Sequence, residues 1–130
     1  AGISGGELKA ARSRVAQALT GALSDPRARW LLGPHKDARS ELRLTVRGGS
    51  GTKRMVLDRT FVDENGARWI IDYKTGAHTG GGVDEFLDRE QERYRQQLER
   101  YAVIMSKMEE RPIRLGLYFP LLGGWREWSF

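Results

Sequence analysis

The sequence predicts an α/β domain in which helices pack against a mixed sheet of about five strands. Three features predict this class: short segments in which apolar and polar residues alternate, a long segment with apolar residues at helical spacing, and glycine-rich turns between them. The expected order is helix, three strands, helix and two strands, which suits a sheet flanked by helices. With 130 residues, the chain is long enough for one domain with a single modest core.

The first elements of this order are helical. Ser4, followed three residues later by Glu7, is a capping-box pattern, and apolar residues then recur at helical spacing to about residue 23. An Asp-Pro pair ends this helix, residues 27–32 predict another short turn of helix, and a Gly-Pro pair breaks the chain again. Leucine and valine alternate with charged and polar residues over 41–46, which predicts a half-buried strand before a glycine-rich turn at 48–51.

A β-hairpin with charged residues inside apolar strands is predicted next. Asp58 follows three apolar residues, and the second strand, 68–75, carries Asp72 and Lys74. Gly66 suits the left-handed position of a three-residue turn, and counting back from this turn places Asp58 opposite Asp72. Because successive strand side chains alternate between faces, Lys74 shares the face of Asp72. We therefore expect two carboxylates and an ammonium on one patch of the sheet.

The remaining chain predicts a loop, a long helix and two closing strands. Residues 76–83 include three consecutive glycines and predict a mobile loop. The helix is expected from about residue 85 to 109, and the strands over 113–119 and 125–130. The apolar stripe of the helix is predicted at Leu87, Tyr94, Leu98, Tyr101, Met105 and Met108.

The charged hairpin has two interpretations from its residues alone. An Asp–Lys pair on a strand is commonly a solvated ion pair of little consequence. Here residues 69–71 are Trp-Ile-Ile, which indicates a strand inside the sheet, and buried charges are costly unless they are paired or hold a metal. Two carboxylates beside an ammonium suit a divalent metal and an anionic transition state.

The order and spacing of several residues in the hairpin and the long helix resemble those of a known family. These residues are Asp58-Arg59, Asp72-Tyr73-Lys74 and, on the helix, Gln97 and Tyr101. The pattern resembles the PD-(D/E)xK nuclease superfamily in its RecB-like branch, and residues 25–125 are similar to the C-terminal part of bacterial UvrD/AddA/RecB-type helicase–nucleases. The resemblance implies a restriction-endonuclease-like core and a single nuclease domain over 1–130, which we expect to belong to a longer helicase–nuclease.

The resemblance also implies an activity, its partners and its compartment. The activity is Mg²⁺-dependent exonucleolytic hydrolysis of DNA, with Mn²⁺ able to substitute, for processing double-strand-break ends in recombinational repair. The partners are DNA, a helicase domain in the same parent chain and a second helicase–nuclease subunit, in the bacterial cytoplasm and with no membrane. A net charge of +5 favours a polyanionic partner, and the absence of cysteine excludes disulfides and thiolate metal sites.

The resemblance assigns roles to residues of the strands. Asp58 and Asp72 are implied metal ligands, the Tyr73 backbone carbonyl is a further implied ligand, and Lys74 is expected to position or deprotonate the attacking water. Glu41, on the preceding strand, has two interpretations: a metal ligand, or a partner of a neighbouring arginine on the solvent face.

Further roles concern the long helix, an arginine and the histidines. Gln97 and Tyr101 lie four residues apart on one helix face, where they either hold the lysine or the DNA backbone, or are a surface amide and a core residue. Arg59 is a candidate phosphate contact. RecB-like nucleases commonly carry a metal-binding histidine on an early helix; His35 and His78 do not match it, so we expect that histidine upstream of this chain.

Two alternative functions remain open from the sequence. One is a catalytically silent PD-(D/E)xK module that acts only in DNA binding or in structure. The other is a stand-alone restriction-type or Holliday-junction nuclease, which would share the metal site but lack the Gln–Tyr motif on the helix.

Overall fold

The computed structural model describes residues 25–49, 51–76 and 82–130. Within them, five strands form one mixed sheet, and two helices pack against it. The elements are α1 (Pro26–Leu32), β1 (Lys36–Gly48), β2 (Gly51–Val62), β3 (Arg68–Tyr73), α2 (Val83–Ser106), β4 (Ile113–Phe119) and β5 (Gly124–Ser129). They confirm the predicted α/β class and the five strands, whereas the helix predicted over 4–23 lies outside the described residues.

The strands follow one another across the sheet in chain order, from β1 to β5. Neighbours are antiparallel except β3 and β4, which run parallel. Parallel neighbours need a long crossover, and the chain between β3 and β4 contains α2. The last residues of β3 and β4 therefore lie side by side, with Asp72 paired to Leu117 and Tyr73 paired to Tyr118.

Both faces of the central strands are buried, and one helix covers each face. Ile70 belongs to a cluster that contains Leu98 and Ala102 of α2, whereas Ile71 belongs to a second cluster that contains Leu31 of α1. Because adjacent strand residues point to opposite faces, α1 and α2 lie on opposite sides of the sheet. We call the two clusters the α2-side core and the α1-side core.

The β2–β3 hairpin has the predicted turn and register. Gly66 has a φ of +82°, and the Asp63 N–H donates a hydrogen bond to the Ala67 carbonyl at 2.9 Å. The Asp63 carboxylate also accepts a hydrogen bond from the Ala67 N–H at 3.0 Å, which closes the turn from within. The strand pairing continues without a shift from the turn to Arg59 and Ile71, and Asp58 and Asp72 are the next residues in the predicted register.

The limits of β1 and α2 differ from those predicted. β1 begins at Lys36 instead of residue 41, because its polar first part pairs with the end of β2. The long helix spans Val83–Ser106 instead of about 85–109. The prediction that Met108 belongs to the apolar stripe is wrong, because this residue lies beyond the helix and is 59% exposed.

Candidate active site

Asp58, Asp72 and Lys74 converge at the end of β3. Ile70 faces the α2-side core, so the alternation of side chains directs Asp72 to the same side. Lys74 Nζ lies 2.8 Å from Asp72 Oδ2. Asp58 Oδ2 accepts a hydrogen bond from the Tyr73 N–H at 2.9 Å, which holds this carboxyl beside Asp72. The structure therefore brings together the three side chains that the sequence predicts as catalytic.

The negative charges of this group are not fully balanced. The pKa of Asp58 is raised to about 7, first because burial disfavours the carboxylate and second because the charge of Asp72 repels it. The Tyr73 N–H and the Lys74 ammonium act in the opposite direction and lower this pKa. Near neutral pH, Asp58 is therefore protonated for part of the time. A divalent cation at the same position would take the place of that proton.

One carboxylate oxygen of the group lacks a satisfactory hydrogen bond. Asp72 Oδ2 is buried, and although Lys74 Nζ lies 2.8 Å away, no hydrogen bond to this oxygen has acceptable geometry. The contact with Lys74 is therefore described as an ion pair. Buried oxygens of this kind are rare, and Mg²⁺ prefers carboxylate oxygens as ligands. The role of the Asp58–Asp72 pair as metal ligands stays a prediction.

Within the described residues, no third acidic side chain completes a metal-binding group with this pair. In the described part of the chain, no group of three or more His, Cys, Asp or Glu side chains could hold a metal. Glu41 is exposed on β1, and the register of β1 with β2 places it level with Asp58. The Tyr73 carbonyl follows Asp72 directly in the chain, and its role as a ligand stays a prediction.

The backbone of β1 has an unusual conformation at Glu41. Its φ is +53°, a left-handed value that residues other than glycine rarely adopt. On β2 near the same level, Leu57 packs in the α2-side core and Phe61 in the α1-side core, although an unbroken strand would place both on one face. The regular alternation of side chains between the two faces of the sheet is therefore interrupted near Asp58. Backbone strain of this kind is concentrated at functional sites.

Helix α2 contributes an aromatic ring that sequence analysis assigned only to the apolar stripe. Lys74 Nζ lies 3.6 Å from the centre of the Tyr94 ring, close enough for a cation–π interaction. The ring and the Asp72 carboxylate together fix the position of the ammonium. Spacing could have revealed this contact, because Tyr94 precedes Gln97 by three residues and shares its helix face.

Gln97 and Tyr101 contact each other. Gln97 Nε2 donates a hydrogen bond to the Tyr101 hydroxyl at 2.9 Å, and Tyr101 packs against the α2-side core. Both lie on the same helix face as Tyr94, which carries the contact with Lys74. The expectation that the pair itself holds the lysine or the DNA backbone stays a prediction.

Arg59 is directed into the protein, which corrects its prediction as a phosphate contact. The residue is only 9% exposed, and its guanidinium donates hydrogen bonds to the carbonyls of Leu31 and Gly33 and to the Ser40 hydroxyl, at 2.9 to 3.0 Å. The two carbonyls lie at the end of α1, where backbone acceptors have no partner within the helix. Arg59 therefore fixes the end of α1 to β2.

His35 lies on the far side of the sheet from the acidic pair. Its ring stacks on Phe61 of the α1-side core with 4.0 Å between the ring centres. It therefore does not replace the metal-binding histidine of the RecB-like pattern. His78 lies outside the described residues.

Comparisons with known proteins do not assign the chain to a family. No protein-family model matches it, and no curated protein matches it. In the part of the chain that the structure describes, no helix is long and apolar enough to cross a membrane. The functional conclusion therefore depends on the geometry of the site and on the motif resemblance.

Proposed function

We propose that this domain is a Mg²⁺-dependent deoxyribonuclease that hydrolyses DNA phosphodiester bonds. The observation that carries the proposal is the convergence of Asp58, Asp72 and Lys74 at the end of β3, with a buried carboxylate oxygen that lacks a hydrogen bond. A structural ion pair needs one acid and one base. A second acid that shares the site and whose pKa is raised is more typical of a catalytic or metal-binding group.

Each residue of the group has a defined task in this reaction. Asp58 and Asp72 would hold the metal, which when bound supplies Lewis acidity at the scissile phosphate and at a water molecule. Lys74 Nζ is fixed between the Asp72 carboxylate and the Tyr94 ring. From this position the ammonium would orient the attacking water and stabilise the charge that develops on the phosphate oxygens.

We extend the proposal to the family that the motifs resemble. A mixed five-stranded sheet with a helix on each face is compatible with a restriction-endonuclease-like core. On this proposal, the domain is the exonuclease of a RecB-like helicase–nuclease. It processes double-strand-break ends with a helicase domain of the same parent chain and a second subunit.

Cleavage of end-labelled DNA tests the proposed activity. We expect the wild-type chain to cut with Mg²⁺ or Mn²⁺ and not in EDTA. Asp72→Asn removes a ligand charge at nearly constant volume, so cleavage should fall by about 100-fold or more. The matched control is Asp88→Asn, an exposed acid on α2 that pairs with Arg126 and should leave cleavage unchanged. Undiminished cleavage by the Asp72 variant would contradict the proposal.

A catalytically silent DNA-binding module is the second candidate. The observation in its favour is that Lys74 already neutralises Asp72, while Asp58 already accepts the Tyr73 N–H. Such a module would bind DNA with equal affinity in the wild type and the Asp72→Asn variant. It would also show no cleavage with Mg²⁺ or with Mn²⁺, which distinguishes it from the nuclease.

A further inference from the structure

The β1–β2 hairpin extends past β3 as a two-stranded arm. β2 pairs with β3 only over Arg59–Val62, whereas its earlier part pairs with β1 alone. We call residues 42–48 and 51–57 the β1–β2 arm. At about 3.3 Å per residue, the arm is roughly 20 Å long.

The arm is strongly basic. It carries four basic residues and no acidic ones, in a chain whose net charge is +5. The basic residues are Arg43, Arg47, Lys53 and Arg54. Thr45 lies opposite Arg54, and Arg47 lies opposite Thr52. Because directly opposed residues share a face, Arg43, Arg47 and Arg54 form one face of the arm together with two threonines, which we call the arginine face.

The arginine face is exposed, and its charges are not neutralised. Arg43, Arg47 and Arg54 are all exposed, and within the ranges that the structure describes none of their side chains has a hydrogen bond or ion pair. The opposite face is anchored, because Leu44 and Met55 pack against the α2-side core. The fold therefore holds the arm in place and directs three unpaired guanidinium groups away from the core.

We propose that the arginine face binds the backbone of duplex DNA. Arginine and threonine side chains are common phosphate contacts, and a two-stranded β-ribbon is narrow enough to enter the major groove. The arm has no aromatic residue, so it offers no surface on which unpaired bases could stack, as single-strand binding surfaces do. This proposal rests on the proposed nuclease function, which requires the domain to bind DNA.

The register shows how far the arginine face lies from the level of Asp58 along the strands. Arg43 pairs with Val56, two positions from the level where Glu41 lies opposite Asp58. The face therefore begins roughly 7 Å from Asp58 and continues toward the tip of the arm. The face is nevertheless directed to the other side of the sheet from the acidic pair, because the opposite face of the arm packs on the α2 side, where Asp72 lies.

A different explanation of the charges is protection of a sheet edge. β1 is an edge strand, and charged side chains on edge strands prevent pairing between molecules. This explanation predicts aggregation when the arginines are removed, with no change in the affinity of the remaining monomer for DNA.

Binding of a labelled DNA duplex in EDTA tests the proposal without cleavage. We expect Arg43→Ala/Arg47→Ala/Arg54→Ala to weaken binding at least about tenfold at low salt. It should also make the slope of log affinity against log salt shallower by about 2.7, since each phosphate contact contributes about 0.9. Replacing the same three residues with lysine should retain the slope, because lysine also neutralises phosphate.

The matched control removes three charges elsewhere. Arg29, Lys36 and Lys107 are exposed and, among the described residues, have no side-chain partner, so their triple alanine variant has the same net charge as the arm variant. It should bind the duplex like the wild type. If the arm triple variant does not fold, Arg47→Ala alone should reduce the salt slope by about 0.9.

Several results would contradict the proposal that the arginine face binds duplex DNA. They are the absence of duplex binding by the wild type, unchanged affinity and slope in a folded arm variant, an equal loss of affinity in the control, and a loss confined to single-stranded DNA.

A cleavage assay distinguishes failure of this proposal from failure of the nuclease proposal. If the wild type never cuts but the arm variant loses duplex binding, the surface stands and the nuclease proposal fails. If the wild type cuts with Mg²⁺ and the arm variant binds normally, the reverse holds.

Discussion

The carboxyl group of Asp58 is buried beside that of Asp72, and its pKa is raised from 3.8 to about 7, mainly by that burial. In the unfolded chain the same group titrates near its ordinary value. Folding therefore takes up a proton between these two pKa values, which changes the free energy of unfolding by at most about 1.4 kcal/mol per pH unit. The stability that this proton contributes is fully present at pH values below the pKa of Asp58 in the unfolded chain. It is lost as the pH rises through the pKa of Asp58 in the folded chain.

We predict that the metal-free domain loses stability as the pH rises from about 5 to about 7, and that Asp58→Asn removes most of this loss. The amide stays neutral across this range and can still accept the Tyr73 N–H. Urea denaturation in EDTA measures the effect. Mg²⁺ should restore the stability of the wild type at the higher pH, because the cation binds the folded state. An equally steep loss in the Asn variant would exclude Asp58 as its source.

The ring of Tyr94 is expected to matter through its contact with Lys74. Cation–π interactions contribute about 0.5 to 2 kcal/mol, so Tyr94→Leu should slow cleavage by roughly 2- to 30-fold. Tyr94→Phe keeps the ring and should cleave at nearly the wild-type rate. Single-turnover rates at saturating DNA measure the difference. Equal losses in the two variants would show that the hydroxyl group, and not the ring, is required.

At the scale of elements, the β2–β3 hairpin sets the register that places Asp58 opposite Asp72. Gly66 has a φ of +82°, and a Cβ there would meet no atom within 4 Å, so only the backbone opposes substitution. Gly66→Ala should therefore cost about 1 to 2 kcal/mol of stability. Gly49 lies in equally open space without a left-handed φ, so Gly49→Ala should be nearly neutral in the same urea titration. A similar loss of stability in both variants would show that the left-handed φ of Gly66 is not the cause.

Local chemistry explains which elements could be predicted from the sequence. The hairpin depends on Gly66 and on Asp63, which act within the turn, and the register that brings Asp58 beside Asp72 follows by counting. The start of β1 could not be predicted in this way. Its residues 36–40 are mostly polar and form a strand only because β2 supplies hydrogen-bond partners.

The features of the site that could not be predicted depend on contacts between segments far apart in the chain. Arg59 accompanies Asp58 in the motif, yet its guanidinium is taken up by carbonyls at the end of α1, which no local pattern indicates. The Lys74–Tyr94 contact likewise depends on how α2 crosses the sheet between β3 and β4. Sequence patterns indicated the acidic pair and its lysine, and packing determined their neighbours.

At the scale of the molecule, the order of the strands determines where the candidate site lies. The parallel pair of β3 and β4 lies inside the sheet and requires the crossover through α2. This crossover places α2 over the side on which Asp72 and Lys74 lie. The β1–β2 arm leaves the sheet at the level of Asp58. The site is therefore bounded by the helix and by the basic arm.

The most direct test of the account is calorimetric titration of the chain with Mn²⁺, because the central claim is that Asp58 and Asp72 hold a divalent metal. We predict saturable binding by the wild type and by Asp88→Asn, and binding at least about tenfold weaker in Asp72→Asn. No binding by the wild type, or equal binding by the Asp72 variant, would contradict the account.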